Sequence, residues 1–232
     1  MKTKNIIIWV TLFSIAMGML ESAVVVYLRE LYYPEGFAFP LKMMSPTLIL
    51  TEILREVATL IMLIAIAVLT GRTKTEKFGY FIYSFAIWDI FYYVFLKLLL
   101  NWPESLFTWD ILFLLPTTWV GPVIAPVLLS FAMIALTLWI VAFTDKRKNT
   151  SLAAGEWTLL IVGSLICIVS FTYEYSKYMM QQFSFGELFL LDENLMEYAI
   201  QFVPVKFPWW IFIFGFAIIL LGIGRFYFRN KN

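Results

Sequence analysis

The chain has 232 residues, of which 62% are hydrophobic, 19% aromatic and only 14% charged, with a formal net charge of +1. A soluble domain is about 45–50% apolar and about 25% charged, whereas a disordered chain needs low hydrophobicity and high net charge. The composition therefore excludes both classes and predicts an integral membrane protein.

Histidine is absent, and the single cysteine, Cys167, lies inside an apolar run. These two facts exclude histidine-dependent zinc, haem and nucleophilic sites, disulfides and iron–sulfur clusters. The chain has no glycine-rich phosphate-binding motif, and its nearly neutral charge gives no sign of nucleic-acid binding. We predict no cofactor, with a hard divalent cation such as Ca²⁺, Mg²⁺ or Mn²⁺ on oxygen ligands as the alternative.

Six apolar stretches are long enough to cross a bilayer, which takes about 20 residues each. They predict an all-α fold with a single six-helix transmembrane domain over residues 1–232. The first stretch resembles a signal peptide, but it exceeds the about 7–15 apolar residues of such a segment, so we interpret it as a retained helix. The predicted spans are 6–28, 46–69, 78–100, 120–143, 157–173 and 209–228.

Basic residues are concentrated at alternate ends of the spans. Because short cytoplasmic loops carry an excess of lysine and arginine, we expect both the N and C termini to be cytoplasmic. The protein is then a multi-pass protein of the plasma or inner membrane, with the lipid bilayer as its first partner. Eleven of the 17 basic residues lie on this side, namely Lys2, Lys4, Arg72, Lys74, Lys77, Lys146, Arg147, Lys148, Arg225, Arg229 and Lys231.

The outer loops are longer and rich in aromatic residues. Residues Ser105–Leu115 predict a short amphipathic helix in the membrane interface, and the loop Ser176–Pro208 predicts another interfacial helix or a lid. The fourth span opens with Pro122 and Pro126. We expect Pro126 to kink this helix, because a proline inside a helix removes a backbone hydrogen bond.

Four carboxylates lie inside the predicted spans, at Glu21, Glu52, Glu56 and Asp89. An ionisable residue in a span costs roughly 2.5–3.5 kcal/mol on insertion scales, so each is a candidate functional residue. With a rise of about 1.5 Å per residue, all four fall between the midplane and the outer surface. We therefore predict an outward-facing polar cavity between the first four spans, rather than ion pairs that only hold helices together.

The second span carries the sharpest local pattern. Glu52 and Glu56 are four residues apart on one helix face, with Arg55 close to both. Two ionised carboxylates at that spacing repel each other in a low dielectric. Either Arg55 pairs with one of them, a cation bridges them, or one carries a proton.

The third span adds Asp89, with Tyr92 and Tyr93 one helical turn away and able to donate hydrogen bonds to it. Asp110, in the loop that follows, lies nearer the mouth of the cavity, as does Glu21. We expect the side chain of Asp110 to face water.

A faint internal repeat accompanies these charges. Glu21 and Arg29 recur at a constant offset as Asp89 and Lys97. Internal repeats are common in transporters, although a match this short also arises by chance in a chain of biased composition. We expect Lys97 to extend toward the outer interface.

Three functions follow from these patterns. The first is a transporter-like protein that binds a cation, a proton or a small polar ligand. The second is a non-catalytic accessory subunit or lipid-binding scaffold, with the fifth and sixth spans facing lipid or a protein partner. The third is a membrane-embedded acid–base enzyme on a lipid or isoprenoid substrate, although no residue can be assigned a catalytic role. The predicted ligand-binding residues are Glu21, Glu52, Arg55, Glu56, Asp89, Tyr92, Tyr93 and Asp110.

Overall fold

The computed structural model describes residues 3–115, 117–147, 150–184, 186–187 and 193–231. Six of its helices are long and apolar enough to span a membrane by length and composition. The predicted all-helical bundle of the multi-pass membrane type is confirmed at this level. The elements in chain order are α1 (Thr3–Tyr32), α2 (Pro46–Thr70), α3 (Lys74–Leu100), β1 (Trp109–Phe113), β2 (Trp119–Pro122), α4 (Ile124–Arg147), α5 (Ala154–Met179), α6 (Glu193–Ala199) and α7 (Trp209–Asn230).

The segment before α4 is a β-hairpin, and two predictions about it are wrong. Strand β1 pairs antiparallel with β2, so Ser105–Leu115 is not an amphipathic helix. The fourth spanning helix begins at Ile124 and not at the predicted residue 120, because Val120 lies in β2, where it pairs with Ile111. Aromatic and β-branched residues fit a paired, half-buried strand, and a short apolar run does not by itself distinguish a strand from a helix.

Backbone hydrogen bonds lead the hairpin directly into α4. The N–H of Val123 donates to the carbonyl of Thr108 at 3.1 Å, and the N–H of Ile124 donates to that of Leu106 at 2.8 Å. Pro126 therefore falls in the first turn of α4, where the backbone N–H groups have no intrahelical acceptor. A proline in the first turn removes no helical hydrogen bond, so no kink is expected at Pro126. The expectation of a kink depended on a helix that begins at Val120, whereas α4 begins at Ile124.

The loop between α5 and α7 contains α6, a helix of seven residues. Residues 185 and 188–192 of this loop lie outside the described residues. The N–H of Leu41 donates to the carbonyl of Ile200 at 3.0 Å, which joins the end of α6 to the loop between α1 and α2. The interfacial position expected for this loop stays a prediction.

Helix α3 is the centre of one half of the bundle, where it packs against α1, α2 and α4, while α5 and α7 form the most extensive pair. Small residues permit these close approaches. A Cβ atom on Gly215 of α7 would lie 2.8 Å from the carbonyl oxygen of Gly163 in α5. A Cβ atom on Gly18 of α1 would lie 3.0 Å from the carbonyl oxygen of Trp88 in α3.

The basic loops meet at one end of the bundle, which we call the basic end. Thr3 and Arg72 both donate to Asp145, at 2.7 and 2.9 Å, and Arg229 donates to Glu156 at 2.7 Å. The start of α1 and the end of α7 therefore lie at this end, and the opposite end is called the cavity end. That the basic end faces the cytoplasm stays a prediction. Two residues of the predicted basic set lie outside the described residues, namely Lys2 and Lys148.

Candidate functional site

A cavity of about 560 Å³ lies at the cavity end, bounded by α1, α2, α3 and the β-hairpin. Typical small-molecule sites have about 300–1,000 Å³ and mainly apolar walls with a few polar groups, which is also the character of this cavity. Elements far apart in sequence supply its polar groups. All eight residues predicted from the sequence line it, namely Glu21, Glu52, Arg55, Glu56, Asp89, Tyr92, Tyr93 and Asp110.

Arg55 is the centre of a three-residue ion cluster. Its Nε donates to Oε2 of Glu52 at 3.0 Å, and a terminal nitrogen lies 2.8 Å from the same oxygen. Its other terminal nitrogen donates to Glu21 on α1. Of the partners expected for Arg55 on its own helix, the structure selects Glu52 rather than Glu56. Two carboxylates around one guanidinium leave this cluster with one net negative charge when all three groups are ionised.

Glu56 has a different partner, which sequence spacing does not indicate. Both of its carboxylate oxygens accept from the backbone N–H of Leu114, each at 3.0 Å. Leu114 directly follows β1, so this contact connects α2 to the hairpin. Glu52 and Glu56 do lie on one buried face of α2, as their spacing predicts.

The expected hydrogen bonds from the two tyrosines to Asp89 are not the ones that form. Asp89 accepts instead from Oγ of Ser130 in α4, at 2.8 Å. The hydroxyl of Tyr93 donates to Asp110 at 3.2 Å, and the ring of Tyr92 lies edge-on against that of Tyr93 at 4.9 Å. The hydrogen bonds to Asp89 that the spacing of the tyrosines permits are thus not among those described, although both tyrosines line the cavity with Asp89.

Asp110 is buried, and the prediction that it faces water was wrong. Asp110 is only 3% exposed, because the pairing of β1 with β2 places it inside the protein, beside α1 and α3. Burial raises the pKa of Asp110 from 3.8 to about 6, against the opposing effects of Arg29 and of the Tyr93 hydroxyl. The nearest Arg29 nitrogen is 3.9 Å from Asp110, so the ion pair is long.

Arg29 is a cavity residue that the sequence analysis did not include. It is 8% exposed, and its guanidinium lies over the ring of Trp102 at 3.8 Å and over that of Phe37 at 4.7 Å. Stacking of this kind stabilises a guanidinium that has left bulk water. The available signal was weak, since Arg29 stands at the end of a span, where arginine usually extends to water. Lys97, its counterpart in the faint repeat, is exposed and donates to the backbone carbonyls of Asn101 and Pro103. Its extension toward the outer interface stays a prediction.

The walls of the cavity differ from those expected. The fourth spanning helix supplies Ser130 to Asp89, but the described lining contains no residue of α4. Its expected place is taken by β1 with the residues after it, the end of α5, and α6. The cavity therefore lies between the first three spans and a cover built from the later loops, not between the first four spans.

The cavity has a floor and a roof. On the side of the basic end, Met17, Leu63 and Trp88 form a buried apolar cluster, in which Leu63 is fully inaccessible. On the opposite side, the Leu41–Ile200 hydrogen bond connects the covering loops above the cavity. The polar groups of the site are thus confined to one half of the bundle.

The charges that line the cavity are predominantly negative. Five carboxylates face three basic residues, Arg29, Lys42 and Arg55. Within the described chain, Glu56 and Asp89 form no ion pair, and each is held by a neutral donor. Such carboxylates are acceptors that a positively charged or hydrogen-bond-donating ligand can reach.

The same residues do not form a compact metal centre. Among the residues that the structure describes, no group of three or more carboxylate or cysteine side chains lies close enough to hold a metal ion. Arg55 also occupies the space between Glu21 and Glu52.

Comparison with known proteins gives no match. No family model, no curated protein and no solved structure matches the chain.

Proposed function

We propose that this multi-pass membrane protein binds a cationic or hydrogen-bond-donating group in the cavity, with Glu56 and Asp89 as the principal acceptors. The observation that carries the proposal is the position of these two carboxylates. Both line an apolar-walled space of about 560 Å³, and neither has a basic partner among the described residues. A buried carboxylate without a counter-charge is costly, and a cationic ligand removes that cost.

A purely structural role of the charges is less consistent with the cavity. Carboxylates that only hold helices together are expected to be paired and closely packed, as Glu156 is with Arg229 at the basic end. Glu56 and Asp89 instead border open space. The alternative of an accessory subunit with a protein partner on α5 and α7 stays a prediction.

Binding is the function that we propose from this geometry. The apolar cluster of Met17, Leu63 and Trp88 lies between the cavity and the basic end. Since an alternating-access transporter is closed on one side in each of its states, transport stays a prediction, and so does catalysis. If the basic end is cytoplasmic, the cavity belongs to the outer half of the bilayer. We propose an organic cation or amine as the ligand, because the walls of the cavity are mainly apolar and Arg55 already occupies the space between Glu21 and Glu52.

The experiment is a thermal-unfolding series on the purified protein in detergent. A ligand of the folded state raises the melting temperature by mass action. We expect hexylammonium to stabilise the wild-type protein, while hexanoate, with the same chain length and the opposite charge, does not. Ca²⁺ and Mg²⁺ are included as separate additions, and stabilisation by these ions would favour a metal site instead.

Two variants and one control complete the test. Glu56→Gln and Asp89→Asn keep the size of each side chain and remove its charge, so both should reduce the stabilisation by hexylammonium. Glu30→Gln is the matched control, because Glu30 is exposed and does not line the cavity. The proposal is wrong if hexylammonium and hexanoate act alike, or if all three variants respond as the wild type does.

A further inference from the structure

The apolar walls and the packing of α2 indicate what kind of molecule reaches the cavity, and from where. We infer that the ligand is an amphiphile with a cationic or hydrogen-bond-donating head and an apolar chain, which enters from the bilayer between α1 and α2. This inference depends on the proposed function, because the head is the group that the carboxylates bind. The cavity-end half of α2 is the wall that moves.

The inward face of α2 changes character along its length. Its buried residues are Glu52, Glu56, Thr59, Leu63 and Ala67. At the basic end, Leu63 and Ala67 belong to apolar clusters formed with residues of α1 and α3. Toward the cavity end, the buried residues Glu52, Glu56 and Thr59 border the cavity, together with the partly buried Ile49 and Ile53. One half of α2 is therefore fixed by close packing, and the other half is held by polar contacts around open space.

The link between α1 and α2 at the cavity depends on one residue. The two helices pack against α3 but make few contacts with each other. In the described chain, the polar contacts between them all involve Glu21, which accepts from Arg55 and lies beside Thr59. Separation of the two helices at this point breaks the contacts of Glu21 with Arg55 and Thr59, while Leu63 and Ala67 stay in their apolar clusters.

The outer surface of α2 is apolar over the same length. Leu50, Leu54 and Val57 are exposed on it, so this helix borders lipid on one side and the cavity on the other. The floor is closed by packed side chains, and a backbone hydrogen bond from Leu41 to Ile200 joins the covering loops at the roof. Between α1 and α2, the polar contacts described at the level of the cavity are those of Glu21 with Arg55 and Thr59.

The lining also restricts the chemistry of the ligand. Val25 and Leu28 of α1 line the cavity together with Ile49 and Ile53 of α2 and the carboxylates. Burial of a methylene group on such a wall strengthens binding about fourfold. An alkylammonium fits both features, whereas a fatty acid of the same length places its negative head among carboxylates.

The first experiment measures the dependence of affinity on chain length, with butylammonium to dodecylammonium as probes. We expect affinity to rise about fourfold for each methylene group up to the length that the cavity accommodates. Ile53→Ala should lower the affinity for dodecylammonium and leave that for butylammonium nearly unchanged. Leu54→Ala is the matched control, since Leu54 is the adjacent residue, is 58% exposed and does not line the cavity.

The second experiment measures the rate of release of a fluorescent alkylammonium, 11-(dansylamino)undecylammonium, from protein in lipid nanodiscs. Excess dodecylammonium is added in a stopped-flow instrument to prevent rebinding. Glu21→Ala removes the contact with Arg55 and should accelerate release several-fold, and Glu21→Gln should give an intermediate rate because its amide still accepts a hydrogen bond. Glu30→Ala, on the exposed side of α1, should release the probe at the wild-type rate.

The outcomes separate this inference from the proposed function. If butylammonium and dodecylammonium bind with equal affinity, and the binding of both requires Glu56 and Asp89, the proposed function stands. The inference that the ligand is an amphiphile is then wrong. If affinity depends on chain length but Glu21→Ala and Glu30→Ala release the probe equally fast, access between α1 and α2 is wrong. If no ammonium ion binds, the proposed function itself fails.

Discussion

Both carboxylate oxygens of Glu56 lie 3.0 Å from the backbone nitrogen of Leu114, and this contact joins the middle of α2 to the end of β1. Glu56 is a candidate ligand-binding residue, and through this contact it also holds Leu114, another residue of the cavity lining, in place. The backbone N–H of Leu114 has this carboxylate as its acceptor, so a substitution of Glu56 affects stability as well as ligand binding.

Glu56→Gln should be more stable than Glu56→Met, although methionine is the more apolar side chain. Glutamine retains an oxygen that accepts from Leu114, whereas methionine leaves the backbone N–H without a partner. An unsatisfied buried donor costs about 1–3 kcal/mol, and this is the expected difference between the two variants. Thermal unfolding of both variants in the same detergent measures it. Equal stabilities, or a more stable methionine variant, would contradict the hydrogen bond.

Asp110, which lies outside the six spanning helices, should make stability depend on pH. Its pKa is raised from 3.8 to about 6 by burial, so between these values the folded protein binds the proton more tightly than the unfolded chain. Stability therefore decreases as pH rises through this interval. The melting temperature of the wild type should fall more between pH 4 and pH 7 than that of Asp110→Asn.

The asparagine variant is the control for the other groups that titrate in this range. It keeps an acceptor for the hydroxyl of Tyr93 and cannot ionise. Parallel pH profiles for the two proteins would mean that Asp110 does not titrate in this interval. A profile in which the wild type gains stability with rising pH relative to the variant would reverse the expected sign.

The ion pair at the basic end should be sensitive to loss of one partner. Glu156 is fully buried, and Arg229 donates to it at 2.7 and 2.8 Å. Arg229→Gln leaves the carboxylate without its counter-charge. The cost should be below the about 3–5 kcal/mol of a fully buried pair, because the arginine side chain is 41% exposed. The double variant with Glu156→Gln should recover part of the loss.

Arg225→Gln is the matched control for that series. Arg225 is an exposed arginine on the same helix, beside Gly155, and forms no salt bridge among the described residues. Its substitution should change the melting temperature little. Equal effects of the two arginine substitutions would show that net charge, and not the pair with Glu156, determines the result.

The contact between α5 and α7 should not tolerate an added methyl group at Gly215. A Cβ atom there would lie 2.8 Å from the carbonyl oxygen of Gly163 and 2.9 Å from the backbone nitrogen of Cys167. Gly215→Ala should destabilise the protein by about 1–3 kcal/mol, since the helices must move apart. Gly224→Ala, on the same helix with nothing within 4 Å of the new atom, should not. Equal melting temperatures for the two variants would contradict this packing.

The six helices and the shared depth of the carboxylates could be predicted because both depend on local properties. The apolar length of a segment identifies a span, and the rise per residue gives the depth of Glu21, Glu56 and Asp89 within it. Depth alone indicated that these residues could meet. The structure places them in one cavity.

The partners of these residues could not be predicted in the same way, because they depend on packing between distant segments. Asp89 meets Ser130 through the rotation of α4 against α3. Asp110 turns inward because β1 pairs with β2, and its apolar neighbours were equally consistent with a helix. Arg29 required Trp102, which approaches it only after the chain has folded.

The central claim is that the cavity binds a cationic group on Glu56 and Asp89, and photoaffinity labelling tests it most directly. The probe is an alkylammonium with a diazirine on its chain, and mass spectrometry locates the labelled peptides. The account predicts labels on residues 21–29, 49–59 and 88–93, reduced in Glu56→Gln and Asp89→Asn but not in Glu30→Gln. Labels confined to the exposed surfaces of α5 and α7, in equal amounts in all variants, would contradict it.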